Sequence, residues 1–408
     1  MRQQLIRVDG KGELGWALYM QAILAGPAQI EALGRRLEEF ASSQSYGWSD
    51  YAIDTLVRTQ SDQAARIMDD WTHRTRRDAL RHRARDGVRA IAQARQITVE
   101  ELIEASLGNL GFDRSGARVF DYGPRTIVVQ LGADGELSFC DADGAALKAM
   151  PAARKDDDAA RVKEARESVK QLKTDLKRIR RTQIRRLEEA MIAARRWLPS
   201  VWLERFADNP VMRTLASGLV WSICDAQSGE LLRCFQLDDA AEPFGAQLEP
   251  VSFDDATQRI GLPHPIELGE ARTIWLELLA DGEQVQAFRQ LERPIFDKGR
   301  IENLDAYLVK LDQVEPATFL GRLNRLGYEL GPREDAGMIN QSTRKVGDWD
   351  ITVAHTGLAP EALSWSGDGI EVRSISADHE GKNITLDQLP SALYSEVFFD
   401  IDALMQTV

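Results

Sequence analysis

From Asp156 to Trp197 the chain runs without a glycine or a proline. Such a stretch favours one long α-helix, because each residue added to a helix already started gains an internal hydrogen bond. Asp156, Asp157 and Asp158 stand at its head, where carboxylates cap free N–H groups and meet the positive end of the helix dipole. Val162, Ala165, Val169, Leu172, Leu176 and Ile179 follow at alternating spacings of three and four, which places them on one narrow stripe. Gln183 then falls where an apolar residue is due. Ile184, Leu187, Met191, Ala194 and Leu198 resume the stripe one position later, a stutter that argues against an uninterrupted coiled coil. A helix over the whole stretch would span about 60 Å, and Pro199 ends it. Leu172 and Leu176 are expected to bury against a body supplied by the rest of the chain.

The outer face of this helix is strongly basic. Residues 177–186 read KRIRRTQIRR, with no acid among them. Lys177, Arg178, Arg181, Arg185 and Arg186 are the candidate binding residues, suited to an acidic protein surface or to phosphates. The competing reading is a solvated helix face paired with acids elsewhere. A second basic run, HRTRRDALRHRARDGVR at 73–89, is offset in part by Asp78 and Asp86. Both runs sit in an acidic chain: 64 Asp and Glu against 51 Lys and Arg give a net charge of −13. That balance excludes a general attraction to nucleic acid or anionic membrane and leaves only local patches.

The remaining pattern points to an α+β protein. Residues 1–108 read as a helical, repeat-like region. Apolar faces begin at Leu14, Leu18, Ala22 and Ile23, break at Gly26-Pro27, and continue at Ile30, Leu33, Leu37 and Phe40. Thr98 and Glu101 form a capping box that opens another short helix. Residues 109–238 hold a β-hairpin or meander and then the long helix, with strands expected at 118–122, 126–131, 136–140 and 231–237. Residues 239–408 form a small mixed α/β region. Its expected helices are 270–279 (Ile274, Trp275 and Leu278 inward), 298–314, 317–326 and 390–397; its expected strands are 349–354, 369–376 and 383–386. The opening residues lack the apolar core of a signal peptide, and no apolar run reaches the roughly 18 residues of a membrane span, so a cytoplasmic location without membrane contact is expected.

The motifs of catalysis are missing. There is no GxGxxG, no GxxxxGK[ST], no GxSxG and no HExxH. Cys140, Cys224 and Cys234 show no metal-ligand spacing; Cys224 and Cys234 fall across a hairpin, where free thiols are expected. The sequence therefore names no catalytic residue, no metal ligand and no cofactor. DADG at 141–144 reads as a turn rather than a calcium loop. His264, held between Pro263 and Pro265, is the histidine whose backbone is most constrained, and a side chain packed in a turn explains it.

Several segments occur in a recognisable order: DYGPR at 121–125, DADGAALKAMP at 141–151, QLKTDLK at 171–177, QIRRLEEAMIAARRW at 183–197, LPHPIEL at 262–268 and FRQLERPIF at 288–296. Together they resemble the MolR-like bacterial proteins, whose shared region is catalogued as domain of unknown function 4132. The resemblance covers roughly residues 97–408. It departs at Asn209-Pro210, where His-Pro is expected, and in the C-terminal third. The N-terminal WGR module of longer relatives is absent from this sequence. The resemblance implies an interaction or regulatory module, an adaptor or client in an assembly linked to a MoxR-type AAA ATPase. Two other classes remain open: a nucleic-acid-associated protein using the basic helix 177–186, and an enzyme of unknown reaction.

Overall fold

The computed structural model describes residues 26–42, 46–75, 77–299, 301, 303–309, 313–334, 337–359 and 369–405. The helical face expected at Leu14–Ile23 lies outside them. The chain divides into two compact units, one ending at Gly111 and one beginning at Phe112.

The first unit is helical: α1 (Pro27–Ser42), α2 (Tyr46–Thr59), α3 (Asp62–Arg74), α4 (Asp78–Ala94) and α5 (Val99–Ser106). Local chemistry starts several of them. Ser61 caps α3 by accepting from Ala64 N at 3.1 Å, and Thr98 with Glu101 makes the expected capping box on α5. Apolar residues at helical spacing, among them Leu37, Ile53, Leu56, Met68, Ala84 and Ile91, form one core. Gly87 allows α4 to approach closely: a Cβ there would lie 2.7 Å from Met68 Sδ.

The second unit begins with an antiparallel meander: β1 (Ala117–Asp121), β2 (Thr126–Leu131), β3 (Leu137–Asp141) and the short β4 (Ala146–Leu147). The alternating pattern puts Phe120, Ile127, Val129 and Phe139 on one face, which packs on Val162, Ala165 and Val169 of the long helix α6. DADG is a turn, with Asp141 Oδ1 accepting from the N–H groups of Asp143 and Ala145 and Gly144 at φ +83°.

Helix α6 runs from Ala159 to Ile192, roughly 50 Å at 1.5 Å per residue. Three details correct the sequence expectation. Only Asp158 caps the helix, accepting from Ala160 N and Arg161 N. Asp157 instead receives two hydrogen bonds from Arg125, at 3.1 and 2.8 Å, and one from Arg154 N. These hydrogen bonds, led by those from Arg125, hold its carboxyl down to about 2. The apolar stripe does not slip at 183: Gln183 is 2% exposed and Ile184 half-buried. Position 183 lies four residues after Ile179 and four before Leu187, so helix geometry places it inward whatever its polarity. Finally, the helix stops well before Trp197. Ala194 turns to φ +50°, and Arg196–Trp197 becomes β5, paired with β9 (Gln258–Gly261). Tertiary pairing with another strand ends the helix here, before Pro199 is reached.

Beyond it come α7 (Pro199–Trp202), α8 (Pro210–Ala216) and a sheet in the order β5-β9-β6-β7-β8, built from β6 (Trp221–Asp225), β7 (Leu231–Leu237), β8 (Pro243–Phe244) and β9 (Gln258–Gly261). Rings of Trp197, Trp202, Phe206, Trp221, Phe235 and Phe253 pack edge-to-face or tilted against one another, with centroids 5.1–6.2 Å apart. Cys224 and Cys234 are free thiols on neighbouring strands; Cys234 aligns with Ser222, one step off a direct pairing on that face. Burial pushes the Cys234 thiol up to about 12.

Short α9 (Pro265–Leu268) and α10 (Ala271–Asp281) follow. On α10 the buried residues are Trp275 and Leu279; Ile274, expected inward, is 45% exposed. The helix expected over 298–314 is described only as α11 (Leu304–Leu308), whereas α12 (Pro316–Leu326) starts one residue early. A third sheet, in the order β10-β11-β12-β13-β14, comprises β10 (Glu329–Leu330), β11 (Ile339–Val346), β12 (Trp349–Leu358), β13 (Val372–His379) and β14 (Lys382–Ile384). The last helix, α13 (Ser391–Met405), is longer than the expected 390–397 and is buried almost all round. Every sheet is antiparallel, so the class is α+β. No helix among the described residues is long and apolar enough to cross a membrane.

Candidate functional site

Three features of the second unit have the chemistry of a site. The first is buried. Helix α13 carries Glu396 into the interior, where Arg293 grips it with Nε on Oε1 at 2.5 Å and Nη2 on Oε2 at 2.6 Å. Arg293 Nη1 reaches back to Glu188 on α6 at 2.5 Å, and its guanidinium lies 4.5 Å from the Phe399 ring centroid. His264 Nε2 completes the cluster, 3.1 Å from Glu396 Oε1.

His264 also caps α9: its Nδ1 accepts from Ile266 N at 3.2 Å, while Glu267 Oε2 accepts from His264 N at 2.9 Å. Nδ1 therefore carries no proton, and the proton on Nε2 is donated to Glu396. Burial by itself would raise the Glu396 carboxyl, but the hydrogen bonds from His264 and Arg293 hold it below the usual carboxylate range. With no exposed surface and both ring nitrogens engaged, His264 has no nitrogen to offer a substrate. The cluster's chemistry is to join α6, the loop after α10, α9 and α13 at one carboxylate.

Four residues on from Glu396, Asp400 accepts from Arg344 Nη1 at 2.6 Å and Tyr328 OH at 3.0 Å. Burial holds the Asp400 carboxyl above its ordinary range, against the pull of Arg344. Gln290 makes a comparable polar anchor. Its amide donates to Val220 O and Pro263 O and accepts from Val220 N.

The second feature is the basic ridge on α6. Lys177, Arg181 and Arg185 are exposed on one face at intervals of four. Lys177 and Arg181 have no partner among the described residues. Arg185 pairs with Glu189 at 2.9 Å, and its Nη2 would lie 2.5 Å from a Cβ on Gly327. The other two candidates sit differently: Arg178 is half-buried on Asp175 at 2.9 Å, and Arg186 is half-buried. Their neighbour Arg180 donates to Asp134 O at 3.1 Å. In the first unit, by contrast, described arginines of the run at 73–89 are spent on pairing within that unit. Arg83 reaches Asp54 at 2.7 Å, Arg81 donates to Thr75 O, and Arg89 lies 3.5 Å from Asp86.

The third feature, which gave no signal in the sequence, is a cavity of about 360 Å³. It is lined by the end of α6 (Ile192, Ala193, Ala194), by Ile266 and Glu267 of α9, by Trp349 at the head of β12, and by residues 390–393 at the start of α13. Glu188, His264 and Glu396 stand on three of the same helical segments. Among the described residues no cluster of three or more His, Cys, Asp or Glu has the arrangement of a metal centre.

Comparison with known proteins reaches only part of these features. The family described as "Domain of unknown function (DUF4132)" matches residues 144–328. That span contains the basic ridge, Glu188, His264 and Arg293 but stops before Glu396. It is narrower than the resemblance over 97–408: β1–β3 and the β10–β14 sheet fall outside it. "Uncharacterized protein YehI" of Escherichia coli (strain K12) is 30% identical over 243 residues, 59% of this chain and 20% of that protein. The matched segment thus spans about a fifth of that relative's length. No solved structure matches the chain.

Proposed function

We propose that this chain is an interaction module that presents the Lys177–Arg181–Arg185 ridge to an acidic protein surface. The observation that carries this reading is the pair Lys177 and Arg181, exposed and unpartnered among the described residues in a chain of net charge −13. Solubility does not require them, since the net charge already supplies it. Helix α6 is anchored by its buried stripe, so the cations start from a rigid rod and give up little backbone freedom on binding.

A ridge of two or three cations is small for nucleic acid. Each phosphate neutralised contributes about −0.9 to the salt slope, and strong duplex binders use roughly 6–10 such contacts. An acidic protein patch suits the ridge better. The MolR-like resemblance supplies the setting proposed for it, an adaptor or client in an assembly with an AAA ATPase.

The test is pull-down from the native host with mass spectrometry, together with titration of a polyglutamate peptide at low and high salt. The double variant Lys177→Gln/Arg181→Gln leaves Arg185 and helix propensity in place. It should lose the co-purifying partner and the salt-sensitive peptide binding while melting like the parent. Equal capture by parent and variant would sink the proposal. Duplex DNA binding that exceeds peptide binding and falls with the variant would move the reading to nucleic acid.

A further inference from the structure

We propose that the cavity at the junction of α6, α9, β12 and α13 binds a small organic monocation with an apolar body, its ammonium on Glu267 and its body beside Trp349. Its volume, about 360 Å³, falls within the roughly 300–1,000 Å³ typical of small-molecule sites. Ile192, Ala392 and Leu393 are buried and form an apolar floor, while Trp349 and Ile266 are half-buried. Among the described residues of the lining Glu267 is the sole ionisable side chain, and it is exposed.

The carboxylate of Glu267 is held in place before any ligand arrives. Oε2 accepts from His264 N, as the reciprocal arm of the cap on α9. Oε1 has no partner among the described residues. Among the described residues no cation lines the cavity, so none neutralises the charge of Glu267 there. An ammonium would meet that charge and lie near an indole whose ring stacks 4.2 Å from His379. The start of α13 also reaches the cavity and favours anions. A helix N-terminus is worth about half a unit charge, against the full charge of a carboxylate, so the net preference is for a cation. A neutral ligand of the same shape would cover Glu267 without pairing it, which costs desolvation.

The site is independent of the basic ridge and can be tested apart from it. The probes are 2-phenylethylammonium, its neutral isostere 2-phenylethanol and the anion 3-phenylpropionate, titrated by calorimetry into the full chain at neutral pH. The amine is expected to bind at least tenfold more tightly than the alcohol, and the anion not at all. Glu267→Gln keeps the cap, since a glutamine oxygen also accepts from His264 N, and should abolish the preference for amine over alcohol. Trp349→Leu should weaken the amine several-fold. Equal affinity for amine and alcohol, or no binding of either, overturns the proposal on the unaltered chain without recourse to any variant. Unchanged amine binding by Glu267→Gln overturns it as well.

Discussion

The charges around Glu396 and those along the ridge of α6 come from the same residue types and behave as opposites. At Glu396, an arginine and a histidine from distant points in the sequence satisfy one carboxylate out of water, and the arginine also reaches the partly exposed Glu188. On the ridge, Lys177 and Arg181 stand in solvent at helical spacing, paired with no acid among the described residues. The first arrangement uses charge to fix how the elements meet. The second leaves charge available. Density of charge in the sequence predicts neither outcome: Arg293 sits in an ordinary stretch and is committed, whereas the arginine-rich run at 73–89 looks like a patch, yet its Arg81, Arg83 and Arg89 are engaged within the first unit.

The sharpest way to break this contrast is to remove Arg293. Its loss strands Glu396 in the interior without its charge partner, and Arg293→Ala should cost about 3–5 kcal/mol. Denaturant unfolding measures this; a loss near that of a surface pair, below about 1 kcal/mol, would mean the cluster is not structural. Next comes Leu176→Ala on the inner face of α6. It should cost about 2–5 kcal/mol through lost burial and a residual cavity, read from the shift in denaturant midpoint at constant slope. An unchanged midpoint would show that the stripe does not hold the helix.

Acid titration sharpens the comparison further. The folded-state pKa of Glu396 lies below its unfolded value. Its stabilising contribution is therefore fully present above the unfolded value, about 4.3 for Glu, and is lost as pH falls through the folded value. Glu396→Gln should flatten that part of the stability–pH curve, while Lys177→Gln should leave its shape alone. Parallel curves for Glu396→Gln and parent would contradict the assignment. The smallest effect belongs to the ridge: Lys177→Gln/Arg181→Gln should change stability by no more than about 0.5 kcal/mol, as for exposed positions generally. A larger fall in melting temperature would place these cations among the structural charges.

Much of the fold was legible in advance because it rests on local periodicity. The strands 126–131 and 231–237 match the structure, as does the capping box at Thr98, since alternation and cap chemistry act within a few residues. The long helix was legible for the same reason, but its end was not: no residue between Ile192 and Pro199 forbids helix, and pairing of Arg196–Trp197 with β9 decides the matter. On α10 Trp275 is buried as expected, but Ile274 is not, because Ile274 and Leu279 lie on different faces and only neighbouring elements select between them. His264 was singled out for its prolines, yet its partner Glu396 lies 132 positions away.

The sequence alone therefore determined the α+β class, the presence and buried stripe of the long helix, and the shared face of Lys177, Arg181 and Arg185, because each depends on repeat spacing along a continuous segment. Only the tertiary structure decided which charges are free, which are buried together, and that a cavity opens where α6, α9, β12 and α13 meet. Those outcomes depend on the distance between side chains brought from separate elements. Electrostatic and packing energies are set by that distance and by the exclusion of water, neither of which is encoded at any single position.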